Sequence, residues 1–274
     1  MPTPPLVVKV GGALLDDASA LASVTSAIAS MHRARPGSVI VVHGGGSAVD
    51  RHLSRLGMAS TKREGIRVTP PDQMVEIGAV LGGSVNQKLV GALLAHGCRA
   101  VGLSLADGHT SIASPITRLS FDPGCVGEVS EGDATLLRLL LGSGFLPVLS
   151  SVGMDAQGGL MNINADDAAA ATASLVGARA LLFLSDVDGV LDGDGRTIGT
   201  LDATAIDALV TNGTIRGGMI PKVRGALETA TSTGVCVIIA SWKRADALVR
   251  LSRGEPVGTR IVAVGTPTSA GAHS

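Results

Sequence analysis

The chain has 274 residues, and its 22 basic and 23 acidic side chains leave a formal net charge of -1 with histidine neutral. Hydrophobic residues make up 45% and aromatics only 1%, with three Phe, one Trp and no Tyr. That excludes a disordered chain; the scattered basic residues and missing stacking platforms exclude a nucleic-acid binder. A core poor in aromatics must be built from Val, Leu, Ile and Ala, which suits parallel strands covered by helices on both faces.

In chain order, the start Met1-Pro2-Thr3-Pro4-Pro5 lacks the basic and apolar regions of a signal peptide. Leu6–Val10 reads as a buried strand ending in Lys9-Val10-Gly11-Gly12. A lysine beside free glycine N–H groups at the carboxyl end of a parallel strand makes a site for a polyanion; the plainer alternative is a solvated lysine before an ordinary turn. A helix over Leu21–Arg33 follows, then a strand at Val39–Val42 leading into His43-Gly44-Gly45-Gly46 and a helix over Ser47–Leu56. Glu64 lies where a dinucleotide-binding acid would be, but Val49 replaces the third glycine of that fingerprint, and no P-loop string occurs.

Gly65-Ile66-Arg67-Val68-Thr69-Pro70 sets Arg67 just before a helix start, with Thr69 as cap, Pro70 in the first helical position and Asp72 completing a capping box. A carboxylate there meets a guanidinium fork and a helix N-terminal field; the alternative is a surface arginine. Met74, Ile77, Leu81, Val85 and Leu89 then keep one face apolar for about five turns. Arg99–Leu103 reads as a strand, and Gly108–Glu128 as glycine-rich hairpins covering a site. Beyond them come a helix over Ala134–Leu141 and a strand over Leu146–Ser150.

Asn162 and Asn164 share one face of an extended run, Met161–Asp167, and Asp166 opens a helix to Val176. A strand, turn and N-cap would explain Asp166 alone, but not two amides at spacing two. Ala168 to Leu184, the most apolar stretch, is broken by Gly177 and Arg179 and reads as helix then strand, not a membrane span. After the strand Leu181–Leu184, Ser185-Asp186-Val187-Asp188-Gly189-Val190 has the form of a nucleotide-binding rim. Gly217–Val223 sets Lys222 at the start of a helix to Thr231, before a strand at Val235–Ile239; a turn and a capped helix are the alternative for both. The last residues, Thr266 to Ser274, are small and polar and are expected to be disordered. Cys98, Cys125 and Cys236 are odd in number, far apart and form no C-x-x-C pair, which opposes a disulfide framework or zinc site and fits a reducing cytosol. Strands alternating with helices predict an α/β fold, a three-layer αβα sandwich around a mainly parallel sheet.

From Lys9 to Ala263 the chain resembles the amino acid kinase family. Val41–Gly46, Gly65–Thr69, Met161–Asp166, Ile239-Ala240-Ser241-Trp242 and Gly258-Thr259-Arg260-Ile261 carry the likeness, closest to the member that phosphorylates the γ-carboxylate of N-acetyl-L-glutamate in arginine biosynthesis. The resemblance implies two lobes: residues 1–179 for the acetylamino acid and dimerisation, 180–274 for ATP. It implies that Lys9 and Lys222 flank the transferred phosphoryl group while Asp166 holds both ammonium groups. Gly11, Gly12 and Gly45 would donate N–H groups to phosphate oxygens. Arg67 would clamp the substrate α-carboxylate, and Asn162 with Gly45 and Gly46 would hold the acetylamino acid. Asp186, Val187, Asp188, Gly189, Val190 and Leu191, with Thr214, Ile215 and Arg216, would line the ATP site.

ATP is implied as co-substrate, with Mg2+ as counter-ion of its phosphates and no protein metal ligands assigned. A cytoplasmic homodimer is expected, without nucleic acid or membrane partners. Arginine-inhibited members carry an extra N-terminal helix that links dimers into hexamers, which the proline-rich start here cannot form, so no arginine inhibition is expected. A chain ending near Ile261 has no room for the regulatory domains of aspartate kinases. The rivals are a sister kinase acting on N-acetyl-aminoadipate, one methylene longer, and a non-catalytic sensor of the same fold. Both lysines and Asp166 oppose the sensor, which needs no charge aligned on a moving phosphoryl group.

Overall fold

The computed structural model describes residues 4–253 and 255–263, so the expected disordered tail from Thr266 lies outside the described residues. Strand β1 (Leu6–Val10) leads into a short helix α1 (Gly12–Asp16), then α2 (Ala18–Ala34), β2 (Val39–His43) and α3 (Gly46–Arg55). A hairpin of β3 (Thr61–Arg63) and β4 (Ile66–Val68) precedes a continuous helix made of α4 (Pro71–Gly78), a π-helical stretch (Ala79–Val85) and α5 (Asn86–Ala95). Next come β5 (Ala100–Ser104), β6 (Ile112–Pro115), β7 (Val126–Glu131), α6 (Thr135–Gly142), β8 (Leu146–Ser150), β9 (Val152–Met154), β10 (Leu160–Ile163) and α7 (Ala165–Val176). The C-terminal third contains β11 (Ala180–Ser185), β12 (Thr200–Leu201), α8 (Ala203–Thr211), α9 (Met219–Thr233), β13 (Val237–Ser241), α10 (Ala245–Ser252) and β14 (Thr259–Ile261).

Eight strands form one sheet in the order β12-β14-β13-β11-β1-β2-β8-β5, parallel except where β13 meets β14. Alternation along β1 and β2 sorts the core into two layers. Leu6, Val8, Val10, Val39 and Val41 face the layer of α1, α2, α3, the long helix and α10. Val7, Ile40 and Val42 face α6, α7, α8 and α9. This is the expected three-layer sandwich. Residue 179 falls between α7 and β11, yet β11 pairs directly with β1, so a single sheet runs through both parts of the chain.

A second sheet, β6-β7-β10-β9, packs beside the first and takes in the segment read as hairpins over Gly108–Glu128. The helix start at residues 69–72 differs from expectation. Pro70 is the N-cap, Pro71 is the first helical residue, and no side-chain capping bond forms. Thr69 is instead a buried bridge residue: its N–H donates to Pro123 O, its carbonyl accepts from Cys125, and its hydroxyl donates to Arg67 O. The Thr69 hydroxyl is committed to Arg67 O and to the Asn162 amide, so it does not reach the first N–H groups of the helix.

Candidate active site

The sheet order places β1 between β2, which continues the chain's first half, and β11, which begins its last third. Ligands in such sheets gather at the carboxyl ends of strands, where the order changes direction. Lys9 shares a face with Val7, so it points to the layer of α7 and α9. There its ammonium lies 2.8 Å from Asp166 Oδ1 in the first turn of α7, and its side chain is 19% exposed. The Lys9 ammonium also sits 6.0 Å from the centre of the Phe183 ring, its register partner on β11. Lys222 enters from the first turn of α9 and contacts Asp186 Oδ1 at 2.8 Å and Ser185 Oγ at 3.0 Å, both at the end of β11.

Lys9, Asp166 and Lys222 line one cavity of about 870 Å3 between α7 and α9, where Ala170, Gly225 and Ala226 leave room. One part of the expected arrangement is absent. Asp166 contacts Lys9, whereas Lys222 is tethered by Asp186, so Asp166 does not hold both ammonium groups. The neighbouring lysine holds the Asp186 carboxyl down at about 2, helped by its own backbone N–H and the Ser185 hydroxyl.

A second cavity of about 440 Å3 is lined by Gly44, Gly45, Gly46, Arg67 and Asn162. Arg67 is no surface residue, being only 8% exposed. Its guanidinium contacts Asp50 and Ser60 and donates to Gly46 O at 3.0 Å. The guanidinium beside Asp50 holds that carboxyl far below the usual carboxylate range, and Lys62 adds a second cation at 3.1 Å. Two cations against one carboxylate leave a net positive charge at the cavity wall. Asn162 donates to Thr69 Oγ1, while Asn164 caps α7 by accepting from the Asp166 N–H, so the two amides do different work.

The glycine loop lies close against its neighbours. A Cβ on Gly44 would lie 3.0 Å from the Ala165 Cβ, and one on Gly45 would lie 2.9 Å from Leu81 Cδ2. Gly11 is the N-cap of α1 and Gly12 opens that helix. Among the residues expected to line an ATP site, Val190 and Ile215 turn their side chains into the core. The Val190 N–H is taken by Thr259 Oγ1. Asp188 lines a separate cavity of about 250 Å3 with Arg244 and Arg250. Asp186, Val187, Leu191, Thr214 and Arg216 keep some exposure on the loops after β11 and α8.

Sequence reasoning missed Arg118 and Asp167, which line both of the larger cavities, as does Asn164. Arg118 pairs with Glu128 across the β6–β7 segment. Burial raises the Asp167 carboxyl and Asp166 beside it adds to this; Arg118 partly opposes them. Asp167 opens into the cleft yet has protein on its other sides. Its position next to Asp166 at a helix start was the available signal.

This cleft of two joined cavities, with lysines in one and a glycine loop and buried arginine in the other, is that of a phosphoryl-transfer fold. The chain belongs to the amino acid kinase family, whose model matches residues 4–241. It is similar to the acetylglutamate kinase of Vibrio cholerae, 44% identical over 258 residues that cover 94% of this chain and 97% of the relative. It is also similar to the acetylglutamate kinase of Edwardsiella ictaluri, 45% identical with 94% and 98% covered. A solved N-acetylglutamate synthase from Neisseria gonorrhoeae, complexed with coenzyme A and N-acetyl-glutamate, superposes with a TM-score of 0.79. At 23% identity that likeness is one of fold; it covers 99% of this chain and 62% of the longer synthase.

Proposed function

We propose that the protein transfers the γ-phosphoryl group of ATP to the γ-carboxylate of N-acetyl-L-glutamate, releasing ADP and the acyl phosphate. The observation that carries this reading is the junction of the two cavities, with Lys9 and Lys222 on one side and the Gly44–Gly46 loop with Arg67 on the other. The acceptor carboxylate is already ionised at neutral pH, so its oxygen attacks phosphorus without a general base, and the bond to ADP breaks as the new one forms. What such a transfer needs is alignment and positive charge. Lys9 and Lys222 supply the charge, with Asp166 and Asp186 fixing where each ammonium sits. Gly11, Gly12 and Gly45 offer N–H groups to phosphate oxygens.

In this reading Arg67 takes the α-carboxylate, and Asn162 with Gly46 the acetylamino group. The loops Asp186–Leu191 and Thr214–Arg216 take the nucleotide through the members that keep exposure, while Val190 and Ile215, whose N–H groups are bonded to Thr259 Oγ1 and Leu209 O, hold those loops in shape. Residues 1–179 then serve the acceptor and 180–274 the ATP. Mg2+ comes with ATP as counter-ion of its phosphates; among the described residues no His, Cys, Asp and Glu cluster forms a ready metal cage. A cytosolic location suits three free cysteines.

The decisive assay is ADP release with N-acetyl-L-glutamate, with N-acetyl-aminoadipate, and with no acceptor. Strong release with the first alone is expected; equal release with the second would reassign the substrate, and none with either would leave a sensor. We further infer a homodimer without arginine inhibition. Val75 and Leu94, 61% and 51% exposed on the long helix of the N-terminal part, present apolar surface that a second copy would cover. Light scattering showing a monomer or hexamer, or strong inhibition by millimolar arginine, would overturn it.

A further inference from the structure

Beneath the glycine loop lies a polar group that the transfer reaction described above does not use. His43 ends β2 with 0% exposure. Its Nδ1 is 2.9 Å from Gly44 O, and its Nε2 is 3.0 Å from Asn86 Nδ2. The Gly44 carbonyl only accepts, so Nδ1 must carry the proton. The same Asn86 amide nitrogen donates to Val148 O at 2.9 Å, which fixes which end of the amide faces the ring. Nε2 must therefore accept, and both contacts demand one tautomer. Burial keeps the ring neutral, drawing its pKa down to about 4 against the opposing bond to Gly44.

The fold has made room for this arrangement. Asn86 is the first residue after the π-helical stretch, whose Leu81 and Val85 also pack against Gly45. On β5, a Cβ at Gly102 would lie 2.0 Å from Asn86 Oδ1, so only glycine admits the amide. In a trans peptide the C=O and the following N–H point in opposite directions, and no cis bond occurs among the described residues. A carbonyl of Gly44 held toward His43 thus turns the N–H of Gly45 away from the core, toward the cavity that Gly44 and Gly45 line. Among the described residues no backbone acceptor takes that N–H.

We propose that His43 and Asn86 are positioning residues for phosphoryl transfer: together they fix the Gly44–Gly45 peptide so that its N–H is aimed at the reacting oxygens. The assignment rests on the kinase reading above, and the measurements separate the two. Imidazole 15N shifts of the labelled wild-type protein report the tautomer without any substrate; Nδ1–H with a bare Nε2 is expected, and Nε2–H would overturn the proposal. His43→Asn keeps a donor near the Nδ1 position, whereas His43→Gln reaches only the Nε2 position. With a folded protein and saturating substrates, His43→Gln is expected to lower kcat about tenfold or more, with the KM for ATP within about twofold, as for a misaimed preorganised donor. His43→Asn is expected to restore most of that loss. Equal impairment of both variants, or an unchanged kcat in His43→Gln, would reduce His43 to a packing residue. Should neither variant fold, the wild-type tautomer by itself upholds or overturns the proposal. Loss of all activity in the wild type would count against the kinase reading and leave the tautomer result standing.

Discussion

Lys222 sits at a helix start with its ammonium between Asp186 and Ser185, well placed to meet charge that moves between donor and acceptor. Replacing it with Ala is expected to lower kcat by about 10²–10³, the loss usual for one preorganised donor, with the enzyme folded and both substrates saturating. Lys222→Arg should rescue poorly, because a planar fork does not fit a point-charge site. Turnover near that of the wild type would remove Lys222 from the chemistry. Arg67 makes a different prediction because it is buried and already paired with Asp50. Arg67→Ala is expected to raise the KM for the acetylamino acid by about 30-fold or more and leave that for ATP nearly unchanged. The figure corresponds to the lower end of the roughly 2–5 kcal/mol lost when one partner of a desolvated charge pair is removed. An unchanged acceptor KM would reduce Arg67 to a strut for the β3–β4 hairpin.

The long helix serves the site twice over, lining the smaller cavity with Ile77 and Leu81 and placing groups behind it. Its α4 part follows directly on Arg67's hairpin, its π-helical stretch packs on the glycine loop, and its α5 part begins with Asn86. π-helical insertions recur at functional sites because they re-aim a side chain without breaking the helix. Gly102→Ala tests the link, since the new methyl must displace the Asn86 amide. It should lower kcat together with thermal stability, and its effect on kcat should not add to that of His43→Gln, as expected for groups in one network. Additive losses would mean that the two positions act separately.

The regular part of this layout was legible in the sequence. Buried runs such as Leu6–Val10 and Leu146–Ser150 give their strands to the residue, because parallel strands covered on both faces are simply apolar. Other edges moved: the last long strand is Val237–Ser241, two residues beyond expectation, since apolar Val235 covers the core without joining the ladder. The π-helical stretch had no signature, because the apolar spacing of Leu81, Val85 and Leu89 also fits an α-helix. Lysine pairing was equally hidden. Which carboxylate meets Lys222 depends on how α9 sits against β11, and both Asp166 and Asp186 lay at rims the sequence could mark.

Stability of the whole molecule carries the imprint of the buried imidazole. The unfolded chain takes up a proton on His43 near pH 6.5, whereas the native ring resists until about 4. Because the unfolded state binds more protons between these values, stability falls as pH drops through that window, by roughly 3 kcal/mol for this group. Buried His32 shifts in the same direction. Asp186 acts elsewhere: its contribution is present above the ordinary carboxylate range and is lost only as pH falls through about 2. Denaturant midpoints followed from pH 7.5 to 4.5 should therefore decline in the wild type and decline less in His43→Asn. Parallel declines would mean that the imidazole is free to titrate in the native state.

The pairing of β11 with β1 also sets what holds the two parts of the chain together. Five-residue β1 is hydrogen-bonded to β2 on one flank and to β11 on the other, so the parts of the chain before and after residue 179 are tied by a strand ladder as well as by the connection between α7 and β11. Any rotation of one part against the other has to twist or break that ladder rather than turn about a single linker, so the ladder itself resists it.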